Sequence, residues 1–94
     1  MFKNNTVFNQ SMTSFDFTEA LTTENMFFGS SSFNQDMSDK RFNKCSKFDF
    51  MFYNAGAYQN QTMLHWLDNS IKTGISHIGF IKSSNTTNIE PVWK

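Results

Sequence analysis

The hydrophobic and polar positions of this chain recur with a period of 25 residues. MFKNNTVFNQ at residues 1–10 returns as MFFGSSSFNQ at 26–35 and as MFYNAGAYQN at 51–60. Such a period is typical of solenoids, in which each unit stacks on its neighbours to build one continuous core. We therefore predict a single repeat domain over 1–94, with repeats at 1–25, 26–50 and 51–75 and a degenerate C-terminal cap at 76–94.

Apolar residues within each repeat are placed as in a short strand. Phe8 and Met12 enclose the polar residues Asn-Gln-Ser, and Phe33 and Met37 repeat this spacing. If the strands pair in parallel, Phe8, Phe33 and Tyr58 form an aromatic core stack with rungs about 4.8 Å apart, and Met12 and Met37 lie beside them. Residues 23–32 and 49–57 combine apolar with small residues and contain a glycine. They predict a short helical or 3₁₀ turn in each repeat.

The amides that follow the aromatic residue predict a second ladder. Asn9 and Gln10 recur as Asn34 and Gln35, and side-chain amides at equivalent positions bond to one another or to backbone groups in stacked chains. We expect these four residues to form an amide ladder along the stack.

The third repeat departs from the pattern after Tyr58. The segment TMLHWLDNSIKTG has apolar residues near helical spacing, Thr62 as a possible N-cap and Gly74 as a stop. It predicts a C-terminal capping helix. Beyond it, Phe80 and Trp93 fall in the register of Phe2 and Phe15 when three residues are inserted, which predicts a degenerate fourth turn.

The charge balance and the spacing of the potentially reactive residues limit the functions that we expect of this chain. Eight Lys and Arg residues balance eight Asp and Glu residues, so no net field attracts nucleic acid, and no apolar run is long enough for membrane insertion. His65, His77, Cys45 and Asp68 lack the spacing of zinc ligands, and no nucleophile and base are paired. We expect no enzymatic activity, no metal and no cofactor, and a structural role for Cys45.

The repeat resembles a known family. MFYNAGAYQNQ and MFFGSSSFNQDMS are similar to the repeat of BspA-like surface proteins, in which an aromatic residue, an Asn-Gln pair and a following apolar residue recur about every 25 residues. The family's usual Trp is replaced by Phe15 and Lys40, and Trp66 is displaced by one residue. The resemblance implies an α/β leucine-rich-repeat-like right-handed solenoid of three to four turns, located at a cell surface or in a virion, without known catalytic residues. No signal peptide is recognisable in this chain.

Two functions remain open from the sequence. The first is a non-enzymatic protein–protein interaction or adhesion module with an unidentified protein partner. The second is a structural component, such as a minor virion or surface-layer protein, that bridges larger subunits. Because Met1 and Phe2 begin the first coil without a capping segment, we also expect self-association through the N-terminal coil.

Overall fold

A computed structural model shows the chain as successive layers, and it describes residues 2–82, 84 and 86–94. Layer 1 comprises residues 2–25, layer 2 comprises 26–50, layer 3 comprises 51–75, and the final segment comprises 76–94. Backbone hydrogen bonds join each layer to the next: Phe2 N–H donates to Met26 O at 2.8 Å, and Phe27 N–H donates to Met51 O at 2.8 Å. Residues one sequence repeat apart therefore lie beside each other in neighbouring layers.

The predicted α/β class is wrong. Over the described residues the chain has no α-helix, no 3₁₀ helix and no extended strand. Its β-structure there is limited to three isolated parallel bridges: Thr22 with Lys47, Lys47 with Ser76, and Thr62 with Ile89. A leucine-rich-repeat-like right-handed solenoid, with a strand and a helical turn in every repeat, does not describe this molecule.

Residues in the left-handed conformation prevent the predicted helical turns. Residues 24–29 form a continuous turn in which Met26 N–H donates to Thr23 O and Phe28 N–H to Asn25 O, each at 3.1 Å. Asn25 has φ 60° and Gly29 has φ 68°. An α-helix needs negative φ at every residue, so these residues bound a turn instead of starting a helix.

The predicted capping helix at 62–74 is also absent. Residues 64–69 are turns, and their backbone bonds span three residues, as from Trp66 N–H to Met63 O at 3.1 Å. Trp66 O instead accepts the Phe42 N–H of layer 2 at 2.9 Å. The helical spacing of apolar residues misled the prediction, because Met63 and Leu67 are buried in the core while Ile71 is 74% exposed.

Flat stacks of aromatic rings fill the core. The Phe27 ring lies between those of Phe2 and Phe52, with centroids 5.3 Å away on both sides and planes within 7°. A separate column joins Phe17 to Phe42 at 5.3 Å and continues to Trp66 at 4.7 Å, where the two ring planes are tilted by 44°. Offset stacking at such distances is favourable for aromatic rings, so the columns hold successive layers in register.

In the final segment, the Phe80 ring packs edge to face against the column instead of stacking on it. The Phe80 ring meets Phe52 at 85° and Trp66 at 88°, so it presents an edge where earlier layers present a face. Phe52 N–H donates to Phe80 O at 2.8 Å. In the earlier layers, Phe2 and Phe27 donate to the residue just before their equivalent in the next layer. By the same register, Ile81 and not the predicted Phe80 is the equivalent of Phe2. At Phe80 the predicted register is therefore displaced by one residue, whereas the bond from Met63 N–H to Ile89 O at 2.8 Å places Trp93 in the register of Trp66.

Candidate interaction faces

The structure brings the predicted core stack together. The ring centroids of Phe8 and Phe33 are 5.9 Å apart, and those of Phe33 and Tyr58 are 5.8 Å apart, with planes within 12°. Met12 and Met37 are buried in the same core. The centroid separations exceed the 4.8 Å expected for paired strands, and side-chain amides rather than a backbone ladder join the layers here.

Three of the four predicted amides form that ladder. Asn9 Oδ1 accepts from Asn34 N at 2.8 Å and from Gln35 Nε2 at 2.9 Å. Asn34 Oδ1 in turn accepts from Gln59 N at 3.0 Å. Gln10 is exposed and makes no hydrogen bond to this ladder within the described residues. The side chain of one layer thus replaces the carbonyl that a strand would have supplied to the next.

Lys40 and Trp66 each donate a side-chain hydrogen bond to a Met carbonyl of the preceding layer, a role that the sequence prediction missed. Lys40 Nζ donates to Met12 O at 2.6 Å, and Trp66 Nε1 donates to Met37 O at 2.8 Å. Each residue stands three positions after a buried Met and bonds the equivalent Met of the preceding layer. The spacing Met-x-x-Phe, Met-x-x-Lys and Met-x-x-Trp was the available signal, and Lys40 makes in layer 2 the contact that Trp66 makes in layer 3.

Within the described residues, the side chains considered for catalysis or metal binding do not form one group. His65 Nδ1 lies 2.9 Å from Asp68 Oδ2 on an exposed turn, and the His77 ring stacks on Trp93 at 4.1 Å. Burial raises the pKa of the Cys45 thiol, which disfavours the reactive thiolate. Among the residues that the structure describes, no three His, Cys, Asp or Glu side chains are grouped as a metal site would require.

An open cleft of about 220 Å³ lies between layers 1 and 2, beside Phe15, Asp16, Asp39, Lys40 and Arg41. Lys40 Nζ donates to the carbonyls of Met12 and Phe15, and Arg41 Nη1 donates to those of Ser38 and Lys40. Because both cations already serve backbone groups and the two carboxylates repel anions, the cleft is not organised for an anionic ligand.

The core is incompletely covered at its two ends. Among the described residues, six hydrophobic residues pack against the core while remaining partly exposed. Four are in layer 1 and two are in the final segment: Phe2, Phe8, Phe15, Ala20, Ile81 and Trp93. Their counterparts in the middle layers, such as Phe27 and Phe33, are fully buried. We call the end formed by Phe2, Phe8 and Phe15 the N-terminal face, and the end formed by Ile81 and Trp93 the C-terminal face.

Backbone groups on the N-terminal face repeat those of the internal layer contacts. Phe28 O accepts Asn4 N–H at 2.6 Å, and Tyr53 O accepts Gly29 N–H at 2.8 Å. Lys3 is the equivalent of Phe28 and Tyr53 in layer 1, so its carbonyl points away from layer 2. Within the described residues that carbonyl accepts no hydrogen bond. The N-terminal face therefore combines uncovered ring surface with an unused backbone acceptor.

Comparison with known proteins places the chain in a family. The family described as "Mycoplasma protein of unknown function, DUF285" matches residues 1–91, and the chain belongs to it. No curated protein and no solved structure gives a significant match. The described part of the chain forms no helix able to span a bilayer.

Proposed function

We propose that this chain is a non-enzymatic interaction module that contacts other polypeptides through its end faces. The supporting observation is the position of Phe2 and Phe8, whose rings stack at 4.1 Å and continue onto Phe27 and Phe33 on one side only. Uncovered apolar surface at a defined site marks contact regions in soluble proteins. We further propose that the chain is of the BspA-like surface-repeat type within its family, in which an adhesion role fits the same faces.

Sedimentation velocity over a rising micromolar concentration series tests this proposal. We expect the weight-average sedimentation coefficient of the wild-type chain to rise with concentration, and that of Phe2→Lys to stay constant. Ile71→Lys is the matched control, since Ile71 is 74% exposed in layer 3 and belongs to neither end face; it should behave like the wild type. A wild-type chain that stays monomeric throughout, with a high unfolding midpoint, would refute the proposal.

A structural component is the second candidate function, and one observation favours it. Partly uncovered core residues occur at both ends, in layer 1 and in the final segment, so one molecule has a contact surface for each of two neighbours. A bridging component of this kind should be heterogeneous or poorly soluble when it is expressed alone. An adhesion module should instead remain soluble and bind its partner as a folded unit.

A further inference from the structure

We infer that an aromatic strip on the side of the stack is a docking site for an acidic polypeptide segment in extended conformation. The strip crosses the layers and includes none of the side chains that define the two end faces, so the site is additional to the proposed function. We call it the lateral strip, and it comprises one residue from each successive layer and a further ring beside them: Lys3, Phe28, Tyr53, Lys82 and Phe50.

Backbone hydrogen bonds place the strip positions in one column. Gly29 N–H donates to Tyr53 O at 2.8 Å, and Asn54 N–H donates to Lys82 O at 3.1 Å. Each donor directly follows the strip residue of its own layer. Phe28, Tyr53 and Lys82 therefore occupy equivalent positions in layer 2, layer 3 and the final segment.

The rings of the strip present their edges to the outside. Phe28 and Tyr53 stack at 5.0 Å with planes within 19°, and Lys3 Nζ lies over the Phe28 ring at 5.2 Å from its centroid. The faces of Phe28 are thus occupied by the layers before and after it, and its edge remains for a partner. An aromatic edge carries the positive part of the ring quadrupole, so it attracts electron-rich groups and the faces of other rings.

The strip is exposed sideways in the middle of the stack. Phe28 and Tyr53 are half-buried although layers 2 and 3 have a neighbouring layer on both sides. Phe50 meets Tyr53 edge-on at 5.7 Å and is 36% exposed, and Ile78, whose carbonyl accepts the Phe50 N–H at 2.9 Å, is 67% exposed. Aromatic side chains grouped in this way are typical of contact surfaces.

A cation stands at each end of the strip. Lys3 occupies the strip position of layer 1 and Lys82 that of the final segment, and both are exposed. Ammonium groups on both sides of an apolar centre are complementary to a partner that has two carboxylates with an aromatic residue between them. A lipid bilayer fits less well, because two cations and half-buried rings provide little attraction for an anionic membrane surface.

The carboxylates nearest to the strip in the register are bound within the molecule. Asp49 Oδ1 accepts Ser76 Oγ at 2.6 Å and Ile78 N–H at 2.8 Å. Glu24 Oε1 accepts Thr22 Oγ1 at 3.3 Å. Both carboxylates are therefore engaged beside the strip and leave its two cations to an acidic partner.

The length of the strip selects an extended segment. At the 5.0 Å spacing of the Phe28 and Tyr53 rings, the three layer steps from Lys3 to Lys82 span about 15 Å. In an extended chain, residues i, i+2 and i+4 share one face, and the outer two are about 14 Å apart. The pattern acidic-x-aromatic-x-acidic consequently sets a carboxylate near each lysine and a ring face on the edges of Phe28 and Tyr53.

A peptide in which Glu, Phe and Glu alternate with Thr is the probe. We expect its titration into the ¹⁵N-labelled chain to shift the backbone amide signals of residues 24–29 and 49–54. The same peptide with Gln in place of both Glu residues should bind about tenfold more weakly, because two exposed ion pairs are lost. The affinity of the Glu peptide should also fall as the salt concentration rises.

Charge reversal on the strip gives a test that is independent of packing. Lys3→Glu/Lys82→Glu should lose the Glu peptide by tenfold or more and gain affinity for a peptide with Lys in place of both Glu residues. Lys47→Glu/Lys94→Glu is the control with the same net charge, since both lysines are exposed outside the strip; it should bind like the wild type. Tyr53→Ser, with its fold verified by near-ultraviolet circular dichroism, should weaken both the Glu and the Gln peptide.

Three results would overturn the inference: no binding of the Glu peptide at millimolar concentration, signal shifts away from the strip, or equal affinities of the two charge-reversal variants. Sedimentation with vesicles of phosphatidylcholine and phosphatidylserine is the remaining arm. Vesicle binding that Tyr53→Ser abolishes would assign the strip to a bilayer and would also overturn the inference. The end faces are unchanged in every strip variant, so each of these results leaves the proposed function in place.

Discussion

At the scale of the residue, the left-handed backbone positions explain several sequence choices. Asn25, Phe50 and Gly79 occupy equivalent places in successive layers, with φ of 60°, 56° and 61°. Asn and Gly adopt this conformation easily, whereas a Phe residue there costs about 1 to 2 kcal/mol. The Phe50 ring covers the backbone of Gly79 and meets Tyr53 edge-on at 5.7 Å, and this packing offsets the strain.

Gly79→Ala should be clearly destabilising. A Cβ at Gly79 would lie 2.5 Å from Phe50 Cε1, and its φ of 61° is unfavourable for Ala. We expect a loss of about 2 to 3 kcal/mol in the free energy of unfolding, measured in urea. Gly74→Ala is the control, because Gly74 has φ 64° but open space around it, so only about 1 kcal/mol should be lost. Equal losses in the two variants would show that the contact with Phe50 is unimportant.

Tyr58→Phe should not destabilise the protein. The Tyr58 hydroxyl is buried without a hydrogen-bond partner among the described residues, and removing an unsatisfied buried group is neutral or stabilising by up to about 1 kcal/mol. Phe8 and Phe33 already fill the same column without a hydroxyl. A loss above about 1 kcal/mol in urea melts would show that the hydroxyl has a stabilising role.

The same residue predicts a pH dependence. Burial raises the pKa of Tyr58 above that of an exposed tyrosine. The folded state therefore retains this proton at pH values where the unfolded chain has lost it, and stability falls as the pH rises above about 10. Tyr58→Phe removes this contribution. Between about pH 9 and about pH 11, the unfolding free energy of the variant should therefore fall less steeply with pH than that of the wild type. Parallel slopes would contradict the assignment.

At the scale of the element, side chains connect layers that backbone ladders join in regular sheets. Asn9 and Asn34 accept backbone N–H groups of the following layer, and Ser30 Oγ donates back to Phe2 O at 2.5 Å. These bonds, two of them exposed and one partly buried, satisfy backbone groups of both layers without extended strands. Regular secondary structure is therefore not needed to hold the layers together.

Lys40→Met should reveal the strength of one such connection. The variant keeps the length of the side chain but leaves the carbonyls of Met12 and Phe15 without the Lys40 ammonium, which now donates to them at 2.6 and 2.7 Å. We expect a loss of about 2 to 4 kcal/mol, measured by thermal or urea unfolding. Lys44→Met is the matched control, since Lys44 forms an exposed ion pair with Glu19; this substitution should change stability by less than about 1 kcal/mol. Similar effects of the two substitutions would remove Lys40 from the connection.

The 25-residue period was sufficient to predict which side chains meet. Phe8, Phe33 and Tyr58 were placed in one column because identical spacing along stacked layers brings equivalent residues together. The secondary structure could not be predicted in the same way. The positive φ of Asn25 and Phe50 is invisible to hydrophobic periodicity, and the spacing of Met63 and Leu67 fits a helix as well as the turns that actually occur. The role of Lys40 was missed because a charged residue is expected on the surface.

At the scale of the whole molecule, each layer depends on its neighbours for burial. Layers 2 and 3 are covered on both sides, whereas layer 1 and the final segment are covered on one side. In stacked architectures the stability is approximately a sum of terms for each unit and for each contact between neighbours. The middle of the stack should consequently be the most stable part, and the ends should open first.

A matched pair of truncations measures this gradient. Phe33 is fully buried and stacks on Phe8 below, Tyr58 above and Phe27 within its own layer, at 5.9, 5.8 and 4.1 Å. Phe33→Ala should cost roughly 3 to 5 kcal/mol, a large share of the 5 to 15 kcal/mol that stabilises a typical domain, as an order-of-magnitude comparison. Phe8→Ala should cost about half as much, because the Phe8 ring is partly exposed on the N-terminal face and its transfer and cavity terms are smaller.

Urea unfolding of both variants at a concentration too low for self-association isolates the effect of stacking within one molecule. A loss below about 1 kcal/mol for Phe33→Ala would mean that the column contributes little. A loss for Phe8→Ala equal to that for Phe33→Ala would mean that the end layer is covered in solution. Repeating the melts at high concentration then connects stability with assembly: if a second copy occupies the N-terminal face, the cost of Phe8→Ala should rise toward that of Phe33→Ala, because association stabilises the folded chain only while the face remains intact.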